Sequence, residues 1–432
     1  MALGGGTFTA QNKALPGAYI NFVSVKSAGD GLSSRGVATM PLLLDWGPNG
    51  VFEVSQDDFY KDSKSIFGYE YTADEMKNLR ELFRNVTTLY AYNLQGGGKK
   101  AAAGLATAKY AGKRGNDLSY TVSTNVDDST MYDVALYLGT TCVDTQTVAK
   151  AADLEDNDYV IWNDSASIET AAGTSLTGGT NAEVTGESYK KYLDAIESYT
   201  FNVMGIATTD DATKKTAVSF VKRMRDDSGI KFQLVLFQYA ADYEGVISVE
   251  NSAEGDDKAA LVYWVTGAEA GCAVESSLMN TEYDGEYTVD TSYTQNALEK
   301  ALKAGKFIMH RVNGAVKVLR DINTLVTYTD NKGDIFADNK TVRVCDQIGN
   351  DIASLFASKY IGKIPNDNSG RVSLWNDVVD LHTSLATLRA IEDFDSANIT
   401  IEQGGSKNSV VITDSITVTG TMEQLYMTVK VA

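Results

Sequence analysis

The sequence predicts an α/β and β multidomain protein, with a central α/β sheet domain, an inserted β-sandwich and an α+β C-terminal domain with extended terminal strand arms. Three observations lead there. From Tyr189 to Phe237 helix-period and strand-like runs alternate, as in parallel βα units. Ahead of that region, from about Lys109 to Gly186, short Thr-, Val- and Tyr-rich runs are separated by turn residues, the pattern of an all-β module. The chain closes on Leu425, Met427, Val429 and Val431 alternating with Tyr426, Thr428 and Lys430, the period of a strand with one buried face.

Taken in order, Gly4 to Leu15 mixes Gly, Thr, Gln, Asn and Lys with isolated apolar residues, cannot pack a core alone and reads as an extended arm. Tyr19 to Val25, after the Pro16-Gly17 turn, carries the aromatic and β-branched residues of a strand. Thr72-Ala73-Asp74-Glu75 has the form of a capping box, and Met76, Leu79, Leu82, Phe83 and Val86 follow at helical spacing. Thr88 to Leu94 reads as a strand, and Gly96-Gly97-Gly98-Lys99-Lys100 as a flexible linker at a domain boundary. In the inserted module the expected strands are Leu118 to Thr124, Tyr132 to Leu138 and Tyr159 to Trp162.

Tyr189, Tyr192, Leu193, Ile196 and Tyr199 then mark a helix, Phe201 to Ala207 a strand, Val218, Val221 and Met224 a helix ending near Gly229, and Lys231 to Phe237 a strand. Ser292-Tyr293-Thr294-Gln295 is a second capping box before Ala297, Leu298 and Leu302; Gly305 stops that helix and Lys306 to Arg311 follows as a strand. Ile348, Ile352, Leu355 and Phe356, then Leu374, Val378, Leu381, Leu385 and Leu388, predict two helices packed on a sheet. Asn398 to Glu402, Ser409 to Thr413, Ile416 to Thr419 and Leu425 to Val431 close the chain as strands. The last of these, being terminal, is free to leave its own subunit.

With 432 residues, 43% of them hydrophobic, the chain can bury a substantial core. A formal charge of −19 disfavours a nucleic-acid partner and favours solubility by self-repulsion. Cys142, Cys272 and Cys345 lie too far apart for a disulfide framework or a metal knuckle, which suits a reducing compartment. No basic leader region opens the sequence and no apolar run approaches the ~20 residues that span a bilayer, so membrane insertion is not expected.

Catalytic chemistry has little to build on. His310 and His382 are the two histidines, too few for a multi-histidine metal site, and both sit in apolar patterns that read as packing. Gly98-Lys99-Lys100 lacks the Ser or Thr and the leading Gly of a phosphate loop. Thr208-Thr209-Asp210-Asp211 would place two carboxylates where a phosphate would bind at a helix N-terminus, and reads as capping. Asp153 to Asp158 fails the calcium-loop pattern because Asp158 stands where Gly is required. No cofactor is expected. The reading from another class, a doubly wound hydrolase or transferase with a β-sandwich accessory domain, would need a nucleophile or cofactor loop in the 200–270 region that the residues do not supply.

Specific residues point to a family. Pro16-Gly17-Ala18-Tyr19-Ile20-Asn21-Phe22, with Ser34-Arg35-Gly36-Val37 and Met40-Pro41-Leu42, resembles the N-terminal region of contractile phage tail sheath proteins of the Gram-positive prophage and phage-tail-like particle type. Ala108-Lys109-Tyr110-Ala111-Gly112 and Arg114-Gly115-Asn116-Asp117 resemble that family's entry into its β-sandwich. Tyr243 to Asn251 and Gly267 to Gly271 are similar to its central domain, and Val318 to Leu325, Tyr360 to Lys363 and Met422 to Val429 to its C-terminal domain. The resemblance runs nearly the whole chain in the expected order.

The resemblance implies a structural subunit rather than an enzyme. Subunits of the family form hexameric rings stacked as a helical sheath around a tail tube protein, bounded by baseplate and tail terminator proteins, and contraction drives the tube through a target envelope. Terminal arms add strands to neighbouring subunits, which places donated strands here at Thr7, Phe8, Thr9 and Ala10 and at Leu425, Tyr426, Met427, Thr428, Val429, Lys430 and Val431. Arg343, Lys359, Lys363 and Arg371 are the expected tube-contact charges. The implied division is an arm over 1–18, a central domain over 19–95 and 187–300, a β-sandwich over 96–186, a tube-facing domain over 301–420 and an arm over 421–432. Assembly is expected in the cytoplasm of the producing bacterium, followed by residence in a virion tail or a released phage-tail-like particle.

Overall fold

The computed structural model describes residues 31–255 and 257–431. The expected arm over 1–18, the donated strand Thr7–Ala10 and the strand Tyr19–Val25 lie outside the described residues.

The centre is a six-stranded sheet built from β1 (Val37–Leu42), β2 (Val51–Ser55), β3 (Thr88–Asn93), β4 (Val203–Ile206), β5 (Gln233–Phe237) and β6 (Val246–Val249), in the order β6-β5-β4-β1-β3-β2. Every pairing is parallel except β2 with β3. Parallel strands covered on both faces should be apolar throughout, and β4, β5 and β6 are buried at every position. On one face α1 (Gln56–Phe67), α2 (Lys77–Phe83) and α5 (Leu261–Gly271) pack over Met40, Leu89, Val235 and Ile247. On the other, α3 (Gly186–Ile196) and α4 (Asp211–Lys222) cover Met204, Ile206, Leu234 and Leu236. Helix α5 is buried nearly all round, and an added Cβ at Gly267 would lie 2.5 Å from the Leu82 carbonyl oxygen, so glycine permits its close crossing of α2.

The insertion between β3 and α3 has a second core. Strands at Leu118–Thr124, Tyr132–Leu138, Thr141–Val148 and Ala171–Ser175 form a four-stranded antiparallel sheet. A three-stranded sheet of Ala102–Ala103, Ala106–Ala108 and Val160–Trp162 closes over Leu118, Tyr120, Leu136 and Leu176. Trp46, from the loop after β1, joins this core, with its ring centroid 5.3 Å from that of Tyr110. The molecule is thus a multidomain α/β protein carrying a β-sandwich.

The C-terminal region contains α6 (Gln295–Lys303), α7 (Asn339–Leu355) and α8 (Asn368–Thr387). Two short antiparallel ladders, Thr400–Gln403 with Val410–Thr413 and Ile391–Glu392 with Thr417–Val418, lie against α7 and α8 through Leu355, Leu374, Val378, Leu385 and Ile399. In α8 Leu374, Val378, Leu381 and Leu385 are buried as expected while Leu388 is exposed; in α7 only Leu355 of the expected face is buried, Ile348 and Ile352 being partly so, because the helix buries a polar face of Asn339, Arg343, Asp346 and Gln347 instead.

Several expectations are corrected. Thr72 does not cap a helix: a short 3₁₀ turn at Asp74–Met76 precedes α2, and Arg80 Nη1 donates to the carbonyls of Tyr71 and Ala73, fixing the approach instead. The apolar face nonetheless forms, with Met76, Leu79, Leu82, Phe83 and Val86 all buried. The second cap moves two residues along, to Thr294, whose hydroxyl accepts from the Ala297 N–H. Lys306 to Arg311 gives way to a hairpin of Met309–Val312 with Ala315–Val318. The segment 96–100 is no flexible linker, because Lys99 exchanges backbone hydrogen bonds of 3.0 Å each way with Thr180. Gly98 makes this possible, since a Cβ there would stand 1.8 Å from the Thr180 carbonyl oxygen. Last, Leu425–Val431 is not a strand within its own chain: each of its residues is exposed and none enters a ladder. Alternation supplies one apolar face, but a strand needs a hydrogen-bonding partner, and none is found among the described residues.

Candidate functional site

The main concentration of buried charge is an ionic interlock where α7 meets the central domain. Asp338 opens α7 by accepting from the N–H groups of Lys340 and Thr341 at 2.8 and 3.4 Å. One turn on, Arg343 is fully buried; its Nη2 donates to Glu269 Oε2 of α5 at 2.6 Å and to Asp321 Oδ2 at 3.3 Å, and its Nη1 to the Ser276 carbonyl at 2.6 Å. Asn339 Nδ2 bridges the same two carboxylates. The next turn presents Asp346, which accepts from Arg225 Nη1 and Nη2 at 2.6 and 2.8 Å, a bidentate pair.

The electrostatics follow from burial. Burial alone would lower the Arg343 guanidinium pKa, but Cys272, Glu269 and Asp321 hold it above its ordinary value. Burial, then the Asp321 charge, pushes Glu269 well above the usual carboxylate range. Asp321 is also raised by burial, yet Arg343 and hydrogen bonds from Glu269 and Leu278 bring it below its ordinary value. Burial thus disfavours a second negative charge beside Asp321, and the Arg343 guanidinium offsets the first, which suits a dry interior.

A cleft of about 560 Å3 opens beside this interlock, between the starts of β1 and β5 and the length of α7. Its charged walls are turned inward on one another: Asp351 accepts from Ser33 N and Gln347 Nε2, Lys231 donates to the Arg225 carbonyl, and Arg35 donates to the carbonyls of Cys272 and Glu269. Charges engaged in this way hold elements together rather than polarise a substrate. At the N-terminus of α4, Asp210 accepts from Thr213 N at 2.7 Å, the capping role read from the sequence. Among the described residues no cluster of His, Cys, Asp or Glu is placed to hold a metal, and no helix is long and apolar enough to cross a membrane.

Arg343 is therefore withdrawn as a tube-contact charge: fully buried and committed to Glu269 and Asp321, it has no surface to offer. The other three lie elsewhere, at the end of α7 and the start of α8. Lys359 pairs with Asp377, Lys363 donates to the Ser358 carbonyl, and Arg371 Nη1 donates to Asn366. Sequence pattern does not single out Arg225, Glu269, Asp321 or Asp346, because their pairing spans up to 121 positions. One signal existed: Glu269 is the single carboxylate in the otherwise apolar run Leu261–Ala270, which calls for a buried cation opposite.

The other notable feature is the C-terminal tail. Beyond the ladder at Thr417–Val418, Leu425, Met427, Val429 and Val431 are 86, 74, 68 and 90% exposed, an apolar row that nothing among the described residues covers. The hairpin Thr400–Gln403/Val410–Thr413 is a two-stranded ladder, so each strand has its outer edge unpaired among the described residues.

Comparison with known proteins places these features. Four family models match in succession: tail sheath protein Gp18 domain III N-terminal region over 35–94, phage tail sheath protein beta-sandwich domain over 95–181, its central domain over 182–324, and phage tail sheath C-terminal domain over 331–432. The chain is similar to the phage-like element PBSX protein XkdK of Bacillus subtilis, 32% identical across 99% of this chain and 100% of the relative. It is also similar to the tail sheath protein of Clostridium phage phiCD119, 28% identical over 49% of this chain and 59% of that one. Among solved structures, the sheath tail protein of Desulfitobacterium hafniense superposes with a TM-score of 0.80 at 35% identity, covering 95% of this chain and 99% of the other. The anti-feeding prophage helical sheath in its contracted state shares the fold, with a TM-score of 0.53 at 10% identity over 97% and 99% of the two chains. A buried ionic interlock, a β-sandwich inserted in an α/β domain and a terminal strand sequence unpaired among the described residues thus occur together in a chain that belongs to the phage tail sheath protein family.

Proposed function

We propose that this chain polymerises as stacked hexameric rings around a tail tube and contracts to drive that tube through a target cell envelope, with its arms donated to neighbouring subunits. As a sheath-family member it is a structural protein, not an enzyme. The observation that carries the reading is the exposed, alternating tail Leu425–Val431 in a subunit that also has open ladder edges at Thr400–Gln403 and Val410–Thr413. Seven residues at ~3.3 Å each span ~23 Å, enough to cross an interface, and main-chain pairing would then bury the apolar row on a neighbour. Thr7–Ala10 is the corresponding donor at the other end. Supporting this, proteins of the same fold are known in helical sheath and baseplate assemblies.

In this reading the central domain is 19–95 with 187–300, the outward sandwich 96–186 and the tube-facing domain 301–420, with arms at 1–18 and 421–432. Lys359, Lys363 and Arg371 remain the charges offered to the tube. Baseplate and tail terminator proteins bound the polymer, nucleic acid and membrane lipid are not ligands, and no cofactor is used, because contraction draws on surface buried between subunits. The subunit is made in the bacterial cytoplasm and ends in a virion tail or a released phage-tail-like particle. Negative-stain microscopy of the concentrated protein tests the reading: hollow striated cylinders are expected for the full chain. Their loss is expected on deleting residues 425–432 or with Thr428→Pro, which removes a ladder donor while leaving a folded monomer. Cylinders that survive the deletion would refute strand donation.

A further inference from the structure

We propose that the ion pair between Arg320 and Glu423 is the post that sets the direction in which the C-terminal arm leaves its subunit, making these two residues positioning residues for assembly. The inference rests on the reading that residues 425–431 are donated to a neighbour. The arm's last backbone attachment is Thr419 N–H to the Ala390 carbonyl at 3.1 Å, just past the ladder of Thr417–Val418 with Ile391–Glu392. Beyond it Gly420 would meet nothing within 4 Å even with an added Cβ, and Met422 is fully exposed. Glu423 then turns back: its Oε2 lies 2.8 Å from Arg320 Nη2. Among the described residues after Thr419, it is the one whose side chain is ion-paired or hydrogen-bonded to another part of the chain.

The post stands on fixed ground. Leu319 N–H donates to the Ile308 carbonyl at 2.9 Å on one side of Arg320. On the other, the buried Asp321 carboxylate is held by Leu278 N–H, Asn339 and Arg343, the heart of the interlock. Arg320 Nε is itself buried without a partner, while Nη2, on a half-exposed side chain, makes the contact with Glu423. Asp338 also lies within electrostatic reach of Glu423. Without the Arg320 charge, Glu423 would lose its ion-pair partner and keep the repulsion of that carboxylate, and the arm would swing from a hinge at 419–423. The ladder-forming residues would be intact, but a neighbour's sheet edge would have to be found from a wider set of arm directions.

The test is the critical concentration for polymerisation, read by sedimentation, with thermal melting of each variant as the folding control. Arg320→Glu and Glu423→Arg should each raise it roughly two- to fivefold at low salt, the range expected for one exposed ion pair. Glu423→Gln, on an exposed tail, removes the charge without touching the core and should act the same way. The exchange Arg320→Glu/Glu423→Arg should restore the parent value, and ~1 M salt should erase the differences by screening. Single variants that assemble like the parent, or an exchange that fails to rescue, would overturn the proposal. If the 425–432 deletion assembled normally, strand donation itself would fall and the post with it, an outcome distinguishable from failure of the pair alone.

Discussion

Replacing Arg343 by Met would test whether the interlock is the charge-balanced set its geometry implies. Methionine fills most of the same space, so the change isolates the charge and its hydrogen bonds from a cavity. Three donations are lost, to Glu269, Asp321 and the Ser276 carbonyl, and Asp321 is left buried beside another acid. Breaking a buried pair in this way costs about 3–5 kcal/mol. The sign of the pH dependence is fixed. In the parent, Arg343 keeps Asp321 below its ordinary carboxylate value, so its contribution is present above the unfolded pKa and lost as pH falls through the folded one. In the variant, burial is opposed only by the remaining hydrogen bonds and pushes Asp321 upward, so the penalty should be greatest near pH 7.5 and shrink on acidification by up to about 1.4 kcal/mol per pH unit. Urea denaturation at pH 5 and 7.5, followed by the fluorescence of the four tryptophans, the buried Trp264 on α5 among them, measures this. Asp321→Asn added to Arg343→Met should recover most of the loss. A penalty under about 1 kcal/mol at pH 7.5, or one that does not shrink at pH 5, would show that Arg343 does not neutralise a buried carboxylate.

Further consequences follow from other contacts. Both ring nitrogens of the buried His382 lie 2.8 Å from oxygens, Val378 O and Asp414 Oδ2, an arrangement that favours the doubly protonated ring. Burial would lower its pKa, but the Asp414 and Val378 hydrogen bonds raise it. The stability it contributes is therefore full below its ordinary value and is lost as pH rises through the higher folded one, so amides of 410–418 should lose exchange protection above neutral pH. Flat protection from pH 6 to 9, or no flattening in His382→Gln, would contradict this. Gly98→Ala should cost about 1–3 kcal/mol in denaturant, because its methyl group would strike the Thr180 carbonyl. Gly97→Ala, whose Cβ would approach nothing closer than Ala182 at 3.8 Å, is the matched control and should behave like the parent.

The local pattern of this chain was legible wherever period and burial coincide. Strand-like runs at Thr88, Leu118 and Tyr132 reappear as strands with alternate residues buried, and Leu374, Val378, Leu381 and Leu385 are buried on one helix, because hydrophobic periodicity records which face meets a core. The order of sheath-like motifs along the chain, and the absence of residues from which a triad or a phosphate loop could be made, were likewise matters of sequence alone. Caps were less well placed: Thr294 and not Ser292 begins α6, since several polar residues in a row can each offer an oxygen and the tertiary path selects one. Paired backbone at Lys99 and Thr180 defied a glycine-rich composition that reads as slack, because a glycine also permits close approach of two backbones, and composition does not distinguish the two uses. Arg343 shows the limit most plainly. An arginine on an amphipathic helix is ordinarily surface charge, and only the fold brings Glu269 and Asp321, 74 and 22 positions away, against it. The sequence by itself determined that Leu425–Val431 has the alternation of a strand; the tertiary structure decided that among the described residues nothing pairs with it, because a ladder needs a second strand that periodicity alone does not specify.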